Sequence, residues 1–529
     1  MADQPRWLTA LVAALQECLP RLHSCQADPL VDELIAALTE ALAEGRLAIA
    51  VPSAAHRQAL QASPLWADPA GPLVLEGDQV QWRLWHQRRH AVLSALRQRA
   101  QQPLAALAEP GAAERIQALV AAHGDGLDAR QRAAVAAVLN RPLVLLEGGP
   151  GTGKTSTVSR MLAAVLDQQP GCRLQLAAPT GKAAARLRAA LDQPGWPCST
   201  LHRLLQSRGE GFARNRHHQL PLDLLVIDEV SMVDVPLMQA LLEALPSACR
   251  LVLVGDRAQL PPVGPGSVLQ DLQHPDLRAA LGAGAVELTR VYRNNGDLAQ
   301  VAAQLRAGAT DLEPLLRPLP AGSNLQWRQQ AATHLPEMVL ERLRQQQQQL
   351  QTLAAGVDPA SPAAAAQLFA QLERVVVLTP LRRGRWGVDA IHGALLGAGT
   401  LANPQLWPAG TPVLCPVNRD DLGLANGDLG VRVERNGQCQ LLFAPGGSAE
   451  PLWVHPAQLP GVQPALALTV HKAQGSEADE VWVLLPEGVR HVRPLLYTAL
   501  TRARRRAWLV TAQLPTLEPT ALLPLDPAS

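Results

Sequence analysis

Lysine is almost missing from this chain. Of its 47 basic residues only Lys154, Lys182 and Lys472 are lysine. Arginine evidently serves wherever any cation will do, so the three ammonium groups mark places where a compact, strongly hydrated charge and a planar fork are not interchangeable. Tyrosine is scarcer still, with Tyr292 and Tyr497 alone. No apolar run reaches the ~18 residues that a membrane helix needs. The start, Met1 to Pro20, carries Asp3, Gln16 and Glu17 and lacks the charged-then-apolar layout of an export signal. Seven scattered cysteines with no C-x-x-C pair argue against a disulfide framework or a zinc site and fit a reducing, cytoplasmic setting. A net charge of +1 excludes a polycation, so any nucleic-acid contact must come from a local groove.

What is present is organised around Leu143-Val144-Leu145-Leu146-Glu147-Gly148-Gly149-Pro150-Gly151-Thr152-Gly153-Lys154-Thr155. An apolar run that reads as a buried strand stops at a glycine-rich loop, and a helix-permissive segment follows from Ser156. The spacing Gly148-x4-Gly153-Lys154-Thr155 is a Walker A loop. Its glycines let backbone N–H groups wrap a polyphosphate and the helix N-terminus faces the anion. Lys154 reaches the β/γ-phosphates, and Thr155 can place its hydroxyl on Mg²⁺. The expected nucleotide cradle is thus Gly148, Gly149, Pro150, Gly151, Thr152, Gly153, Lys154, Thr155 and Ser156.

A chain of 529 residues is too long for one core. Residues 1–120 read as a helical N-terminal domain, with helical spacing at Leu8, Leu11, Val12, Leu15 and at Val31, Leu34, Ile35, Leu38. A hairpin is expected over Leu73–Trp82, turning at Gly77-Asp78, and a helix over Gln87–Arg99. Ten basic against thirteen acidic residues up to Gly126 make this part a poor nucleic-acid binder on charge and suit it to a protein contact or to a plain packing cap. Pro110 to Gly126 serves as the boundary. From 121 to 290, β-type runs (Leu143–Leu146, Leu174–Ala177, Leu224–Ile227, Leu251–Val254, Val286–Leu288) alternate with helical segments, which implies a parallel sheet with ligands at the carboxyl ends of its strands. A polar insert near 206–222 carries His217 and His218, read as solvated. A second α/β unit spans 291–410 plus 465–515. It begins with a long helical stretch whose Gln345–Gln349 tract reads as solvated. Short strands with turns at Asn426-Gly427, Asn436-Gly437 and Gly446-Gly447 predict a small β-barrel insert over 411–464, and residues 516–529 read as a disordered tail.

Two further stretches complete the chemistry. Leu224-Leu225-Val226-Ile227-Asp228-Glu229 is a buried strand ending in two carboxylates, a Walker B arrangement. Asp228 is placed to hold Mg²⁺, and Glu229 to polarise the water that attacks the γ-phosphate. In Gly255-Asp256-Arg257-Ala258-Gln259-Leu260, the neutral amide of Gln259 can bond differently to triphosphate and diphosphate and so sense hydrolysis.

At this point the chain resembles the superfamily 1 DNA helicases, over roughly residues 127–512. Leu127-Asp128-Ala129-Arg130-Gln131 is similar to the Q-motif, which implies that Gln131 reads adenine. Ala178-Pro179-Thr180-Gly181-Lys182 and Ser199-Thr200-Leu201-His202-Arg203 are similar to the motifs that line the single-strand path, so Thr180, Lys182 and His202 inherit DNA contacts. Val291-Tyr292-Arg293 resembles motif IV, with Tyr292 stacking on adenine and Arg293 on the γ-phosphate. Thr469-Val470-His471-Lys472-Ala473-Gln474-Gly475-Ser476-Glu477 resembles motif V, giving Gly475 and Glu477 to ATP and Thr469 and His471 to DNA. Tyr497-Thr498-Ala499-Leu500-Thr501-Arg502 resembles motif VI, making Arg502 the second arginine finger.

Within that superfamily the wording around Lys182 and Lys472, Thr379-Pro380-Leu381-Arg382-Arg383-Gly384 and a short leader before the Walker loop resemble the RecD family, the alpha subunits of exodeoxyribonuclease V (the RecBCD complex). Ala425 and the Arg382–Trp386 loop depart from the family wording. The resemblance implies two tandem RecA-like P-loop motor domains with an SH3-like insert. It further implies ATP and Mg²⁺ as cofactors and 5′-to-3′ movement on single-stranded DNA. Double-strand break repair, DNA ends as substrate and RecB-like and RecC-like partners follow on the same ground. No compact nuclease constellation is present, so any cleavage is expected to belong to a partner chain. A standalone helicase and an ATP-switched regulatory subunit are the alternative readings. A small-molecule P-loop kinase would have no use for 370–512. For Trp327, Trp386, Trp407 and Trp453, core packing is the default over base stacking.

Overall fold

The computed structural model describes residues 6–517, apart from 105, 106, 108, 109, 192–194, 210, 293–295, 358–361, 420 and 445–449. Two all-parallel sheets carry the architecture. The first runs in the order Ala285–Leu288, Leu143–Gly148, Arg250–Gly255, Leu224–Ile227, Leu174–Ala178, Cys198–Thr200. Its central strands are buried along their whole length, because helices cover both faces and every side chain must be apolar. The second runs Leu325–Gln329, Ala503–Thr511, Ala478–Leu485, Val375–Thr379, Ala467–Thr469.

The insert is a five-stranded antiparallel sheet in the order Leu452–Val454, Gln438–Phe443, Leu429–Arg435, Pro412–Leu414, Gln463–Pro464. Strand alternation splits its side chains. Leu441 and Phe443 join a core with Trp407 and Val454, while Leu442, Val431 and Val433 pack on the helices Glu337–Ala354 and Pro362–Leu372. No pairing closes it into a barrel among the described residues. The turn at Asn436-Gly437 has positive φ at both residues, and Gly427 is also left-handed. The turn expected at Gly446-Gly447 lies outside the described residues.

At the N-terminus, the helices Arg6–Leu22 and Pro29–Ala43 pack beside the hairpin Leu73–Glu76/Gln79–Trp82, which a short strand Ala48–Ala50 extends. The expected apolar face of the first helix is only partly used: Leu8 is buried but Leu11 is exposed. The next helix starts earlier than expected, at Arg83, and ends at Gln101. Its far half belongs to the first large core, through Val92, Leu96 and Ala100. Two buried guanidinium groups fasten it there: Arg89 bonds Asp271 at 2.8 Å, and Arg99 donates to the carbonyls of Pro246 (3.0 Å), Ser247 (3.2 Å) and Cys249. The stretch expected as a boundary, Pro110 to Gly126, instead contains the helix Ala112–His123, whose Ile116 is in the core beneath the Walker strand's other face.

Two further expectations fail for packing reasons. The glutamine tract lies in the helix Glu337–Ala354 and is not wholly solvated: Gln346 is buried, donating to Gln371 O at 2.6 Å and accepting from Gln371 Nε2 at 3.0 Å. The 516–529 tail reading fails at Leu517, which is buried against the second core; residues 518–529 lie outside the described set. Trp386 and Trp407 are core residues, each donating its indole N–H to a backbone carbonyl (His334 and Thr400). No described helix is long and apolar enough to cross a membrane.

His392 is buried on the helix Val388–Leu396, and its Nε2 accepts from Ala467 N at 3.2 Å. Burial pulls its pKa from 6.5 down to about 4. The folded state therefore resists a proton that the unfolded chain accepts, and stability falls as pH drops through that window, by up to about 3 kcal/mol. His392→Gln, which can keep the Ala467 bond without titrating, is expected to flatten this part of the stability profile in chemical denaturation.

Candidate functional site

The Walker strand Leu143–Gly148 ends at the carboxyl edge of the first sheet, and the chain turns through Gly151 (φ +73°) and Gly153 (φ +81°), conformations open to glycine. The helix Lys154–Gln168 then starts with no side-chain cap, so its first N–H groups face the loop's hollow. A side chain at Gly148 would meet Thr152 Oγ1 at 2.5 Å. Lys154 Nζ donates to the carbonyls of Gly148 (2.6 Å) and Gly149 (3.0 Å), while Thr152 Oγ1 donates to Gly149 O and Ser156 Oγ to Gly153 O. Uncapped amides and an ammonium held only by the loop's own carbonyls are a donor set that suits a polyphosphate.

Across the same edge stand Asp228 and Glu229. Asp228 accepts from the Glu229 N–H at 2.9 Å, and Glu229 sits in a left-handed conformation (φ +53°). Burial, then the neighbouring Glu229, push Asp228 up to about 6 against the charges of Lys154 and Arg186. The folded protein thus favours the protonated acid. In the absence of a cation, stability should decline as pH rises from about 4 through about 6. Asp228→Asn is accordingly expected to stabilise the cation-free protein at neutral pH by ~1–3 kcal/mol while removing Mg²⁺-dependent hydrolysis. Parallel thermal melts and phosphate-release assays check both halves.

The second sheet reaches this edge through the helix Val492–Leu500 and the residues after it. Tyr497 OH donates to buried Asp256 at 2.5 Å, and Leu260 N donates to Thr498 Oγ1 at 2.8 Å. Gln474 Nε2 donates to Leu260 O at 3.4 Å. Arg502 is buried; it donates to Thr498 O (3.0 Å), Ser476 O (3.4 Å) and Thr501 Oγ1 (3.3 Å). Burial lowers its pKa, and the strongest charge acting against that is Glu229 of the first sheet. Gln259 is buried on the same seam, with Oε1 lacking a hydrogen-bond partner. Glu477 is bonded by Arg186 of the first unit and by Arg504 of the second (3.3 Å), and Gly475 packs on Ala183 and Thr180.

A third corner lies beside the loop. Asp128 and Gln131 form a reciprocal capping box at the helix Ala129–Asn140. Tyr292 OH donates to Asp128 Oδ2 at 2.8 Å, and Tyr292 N donates to Gly151 O at 2.8 Å. A Cβ on Gly153 would fall 2.7 Å from Gln131 Nε2 and 3.9 Å from the Tyr292 ring, so the loop, Gln131 and Tyr292 share one edge. Arg290 lies over that ring at 5.0 Å. Arg293 lies outside the described residues.

Sequence reasoning missed a cation at the centre of the cleft. Arg306, near the end of the helix Asp297–Ala307, pairs with Glu287 (3.0 Å) and Asp256 (3.4 Å), and with Tyr497 lines a cavity of about 330 Å³ bounded by Gly149, Gly151 and Glu477. Nothing in its local sequence signals this, because its partners come from distant segments.

Of the residues expected on the DNA path, not all are open. Thr180 caps the helix Gly181–Leu191 by accepting from Ala183 N (3.2 Å). Lys182 is enclosed between that helix and the insert: its Nζ is buried without a hydrogen bond, and burial brings it down to about 8 against the opposing charges of Asp428 and Glu373. Gly181 is tight against Ala425, where an added Cβ would meet that methyl at 2.2 Å. His202 lies 5.9 Å from Phe212 of the small hairpin Ser207–Arg208/Gly211–Phe212, on a cavity of about 390 Å³ between the first unit and the insert. Thr469 accepts from Lys472 N at 3.3 Å, and burial lowers the pKa of His471. His217 and His218 are exposed and contact Arg216 and Arg214.

Two family models match, an AAA domain over residues 131–265 and a UvrD-like helicase C-terminal domain over 464–510. The chain is 38% identical over 417 residues to the RecBCD enzyme subunit RecD of Mycolicibacterium smegmatis, covering 72% of this chain and 71% of that one. It is 34% identical over 485 residues to the same subunit of Mycobacterium tuberculosis, covering 86% and 80%. An ATP-dependent RecD2 DNA helicase of Deinococcus radiodurans is 33% identical over 417 residues, which span 73% of this chain and 50% of that protein. Relatedness at this level over most of both chains, with one model on each side of the cleft, shows that the chain belongs to the RecD family of superfamily 1 helicases.

Proposed function

We propose that this chain is an ATP-dependent 5′-to-3′ single-stranded DNA translocase and helicase, working as a subunit of a helicase–nuclease of the RecBCD kind. The observation that carries the reading is the seam at the Walker edge where the two units touch, with Leu260 N donating to Thr498 Oγ1 and Tyr497 OH to Asp256 in the segment that carries Arg502. Gly148 to Ser156 would hold the phosphates, with Gln131 and Tyr292 at the base. Thr155 and Asp228 would hold Mg²⁺, which when bound neutralises charge on the β- and γ-phosphates. Glu229 orients the attacking water, and Gln259 responds to the γ-phosphate. Arg502 and Arg293 stabilise the charge that develops on the phosphoryl oxygens, where little covalent help is available. Gly475 and Glu477 border the nucleotide.

Since the catalytic groups come from both units, turnover requires the cleft to close, and closure moves the two DNA-gripping surfaces past each other. Thr180 and His202 grip from the first unit, Thr469 and His471 from the second, and Lys182 joins them once movement of the insert uncovers its buried ammonium. Such a grip on phosphates and stacked bases is sequence-independent and salt-sensitive. Partner contact through the N-terminal domain is supported by Trp7, Leu11 and Leu22, which are 60%, 42% and 75% exposed on one helix. Strand displacement on 5′-tailed and 3′-tailed duplexes tests the proposal. Unwinding confined to the 5′-tailed substrate is expected, and ATP hydrolysis with no displacement on either would favour the regulatory-subunit reading.

A further inference from the structure

Among the described residues, one cluster of possible metal ligands has no role in motor chemistry. His86 and His90 lie four residues apart on the helix Arg83–Gln101, hence one above the other on a single face, with ring centroids 4.1 Å apart. The strand Leu73–Glu76 brings the Glu76 carboxylate to them: Oε1 is 3.6 Å from His90 Nε2, and Oε2 is 3.8 Å from His86 Nε2. All three ligand atoms fall within 4.8 Å of one another.

The spacing is informative. A hydrogen bond from an imidazole to a carboxylate spans ~2.7–3.2 Å, and both contacts are longer. Two donor atoms each about 2.0–2.2 Å from a tetrahedral zinc ion stand about 3.3–3.6 Å apart. The His90 contact lies at the top of that span and the His86 contact just beyond it, so the carboxylate and the two rings are spaced nearer to sharing an ion than to sharing a proton. His90 Nε2 is buried and has no hydrogen-bond partner. Fully buried Gln81 donates its Nε2 to Glu76 Oε2 at 2.8 Å, the kind of outer contact that fixes a ligand's orientation. Nearby cations are tied up elsewhere, Arg89 by Asp271 and Arg83 by the carbonyls of Gly71 and Leu73. The scatter of the cysteines speaks only to thiolate sites and leaves a His₂Glu set untouched.

We propose that Glu76, His86 and His90 form a binding site for a divalent transition metal of the zinc class, with a solvent molecule in the fourth position. Imidazole and carboxylate donors in this combination favour such an ion over Mg²⁺ or Ca²⁺. Bound there, the ion clamps the N-terminal hairpin to the helix that Arg89 and Arg99 anchor in the first motor unit, and so stiffens the joint between the N-terminal domain and the motor.

The test uses the full chain after chelator treatment, titrated with Zn²⁺ by calorimetry and with Co²⁺ by visible absorption. One equivalent should bind, Zn²⁺ should raise the melting temperature, and the Co²⁺ bands should lack thiolate charge transfer. His90→Gln and Glu76→Gln should each weaken binding more than the ~10–100-fold typical of losing an outer-shell partner, and Gln81→Leu by about that amount. The paired change His217→Ala/His218→Ala should leave the titration unaltered. Circular dichroism and ATP binding identify any variant that fails to fold, and Glu76→Gln, nearly isosteric, stands as the second variant. The proposal is overturned if the chelated protein takes up no Zn²⁺, if the His86→Gln/His90→Gln variant binds it as the parent does, or if removing His217 and His218 abolishes uptake.

Discussion

Lys154→Gln is expected to lower DNA-stimulated ATP hydrolysis by at least ~10³-fold and to abolish unwinding, with the melting temperature nearly unchanged. The ammonium group touches only the loop carbonyls of Gly148 and Gly149. A glutamine amide keeps a donor of similar reach for those carbonyls, so the loop retains its shape. What it lacks is the charge, which already acts on Asp228 across the sheet edge. Charge on the β- and γ-phosphates is what a P-loop lysine offsets, and little else in phosphoryl transfer can substitute for it. Steady-state hydrolysis with single-stranded DNA, beside a thermal melt, separates the two effects. Parental hydrolysis by the variant would remove Lys154 from the phosphate site.

Arg502→Ala is expected to leave nucleotide affinity within a few-fold of the parent and to reduce turnover by roughly 10³–10⁵, the range for a missing arginine finger. The side chain belongs to the unit that does not contain the Walker loop, so it contributes little until the cleft closes on a reacting phosphate. Its three bonds to Ser476, Thr498 and Thr501 mean that removal also loosens the seam. Arg502→Lys addresses that complication by keeping a cation while losing the planar fork, and it too should turn over poorly. Weak nucleotide binding with normal turnover would contradict the assignment.

The central strands of the first sheet were legible because a strand covered on both faces must be apolar throughout, and Leu143–Leu146, Leu224–Ile227 and Leu251–Val254 are. In the second sheet Ala478–Leu485 and Ala503–Thr511 escaped notice because charged residues (Asp479 and Glu480, and Arg504 to Arg506) interrupt their apolar runs; the other strands that escaped notice are short or lie at edges. Cys198–Thr200 has three residues, and Leu325–Gln329 buries only Leu325 fully, so it was absorbed into a helical reading. Asp128 and Gln131 show how a local motif does double duty, since the same pair caps a helix and borders the loop. Arg306 and the Gln346–Gln371 pair were invisible for the opposite reason: their partners are distant in sequence and chosen by packing. The His86–His90 pair was missed by a boundary. A helix begun at Gln87 leaves His86 outside it, and the four-residue spacing has meaning only once the helix starts at Arg83.

The central claim is that one nucleotide is gripped by groups from both units. A crystal structure of the chain with ADP, Mg²⁺, aluminium fluoride and single-stranded DNA tests it most directly. Lys154 Nζ should have left the carbonyls of Gly148 and Gly149 for the phosphates, and the Arg502 guanidinium should bond the fluoride cage opposite Glu229. If Arg502 instead keeps its bonds to Ser476 and Thr498 and lies beyond reach of the cage, the two-sided mechanism is wrong.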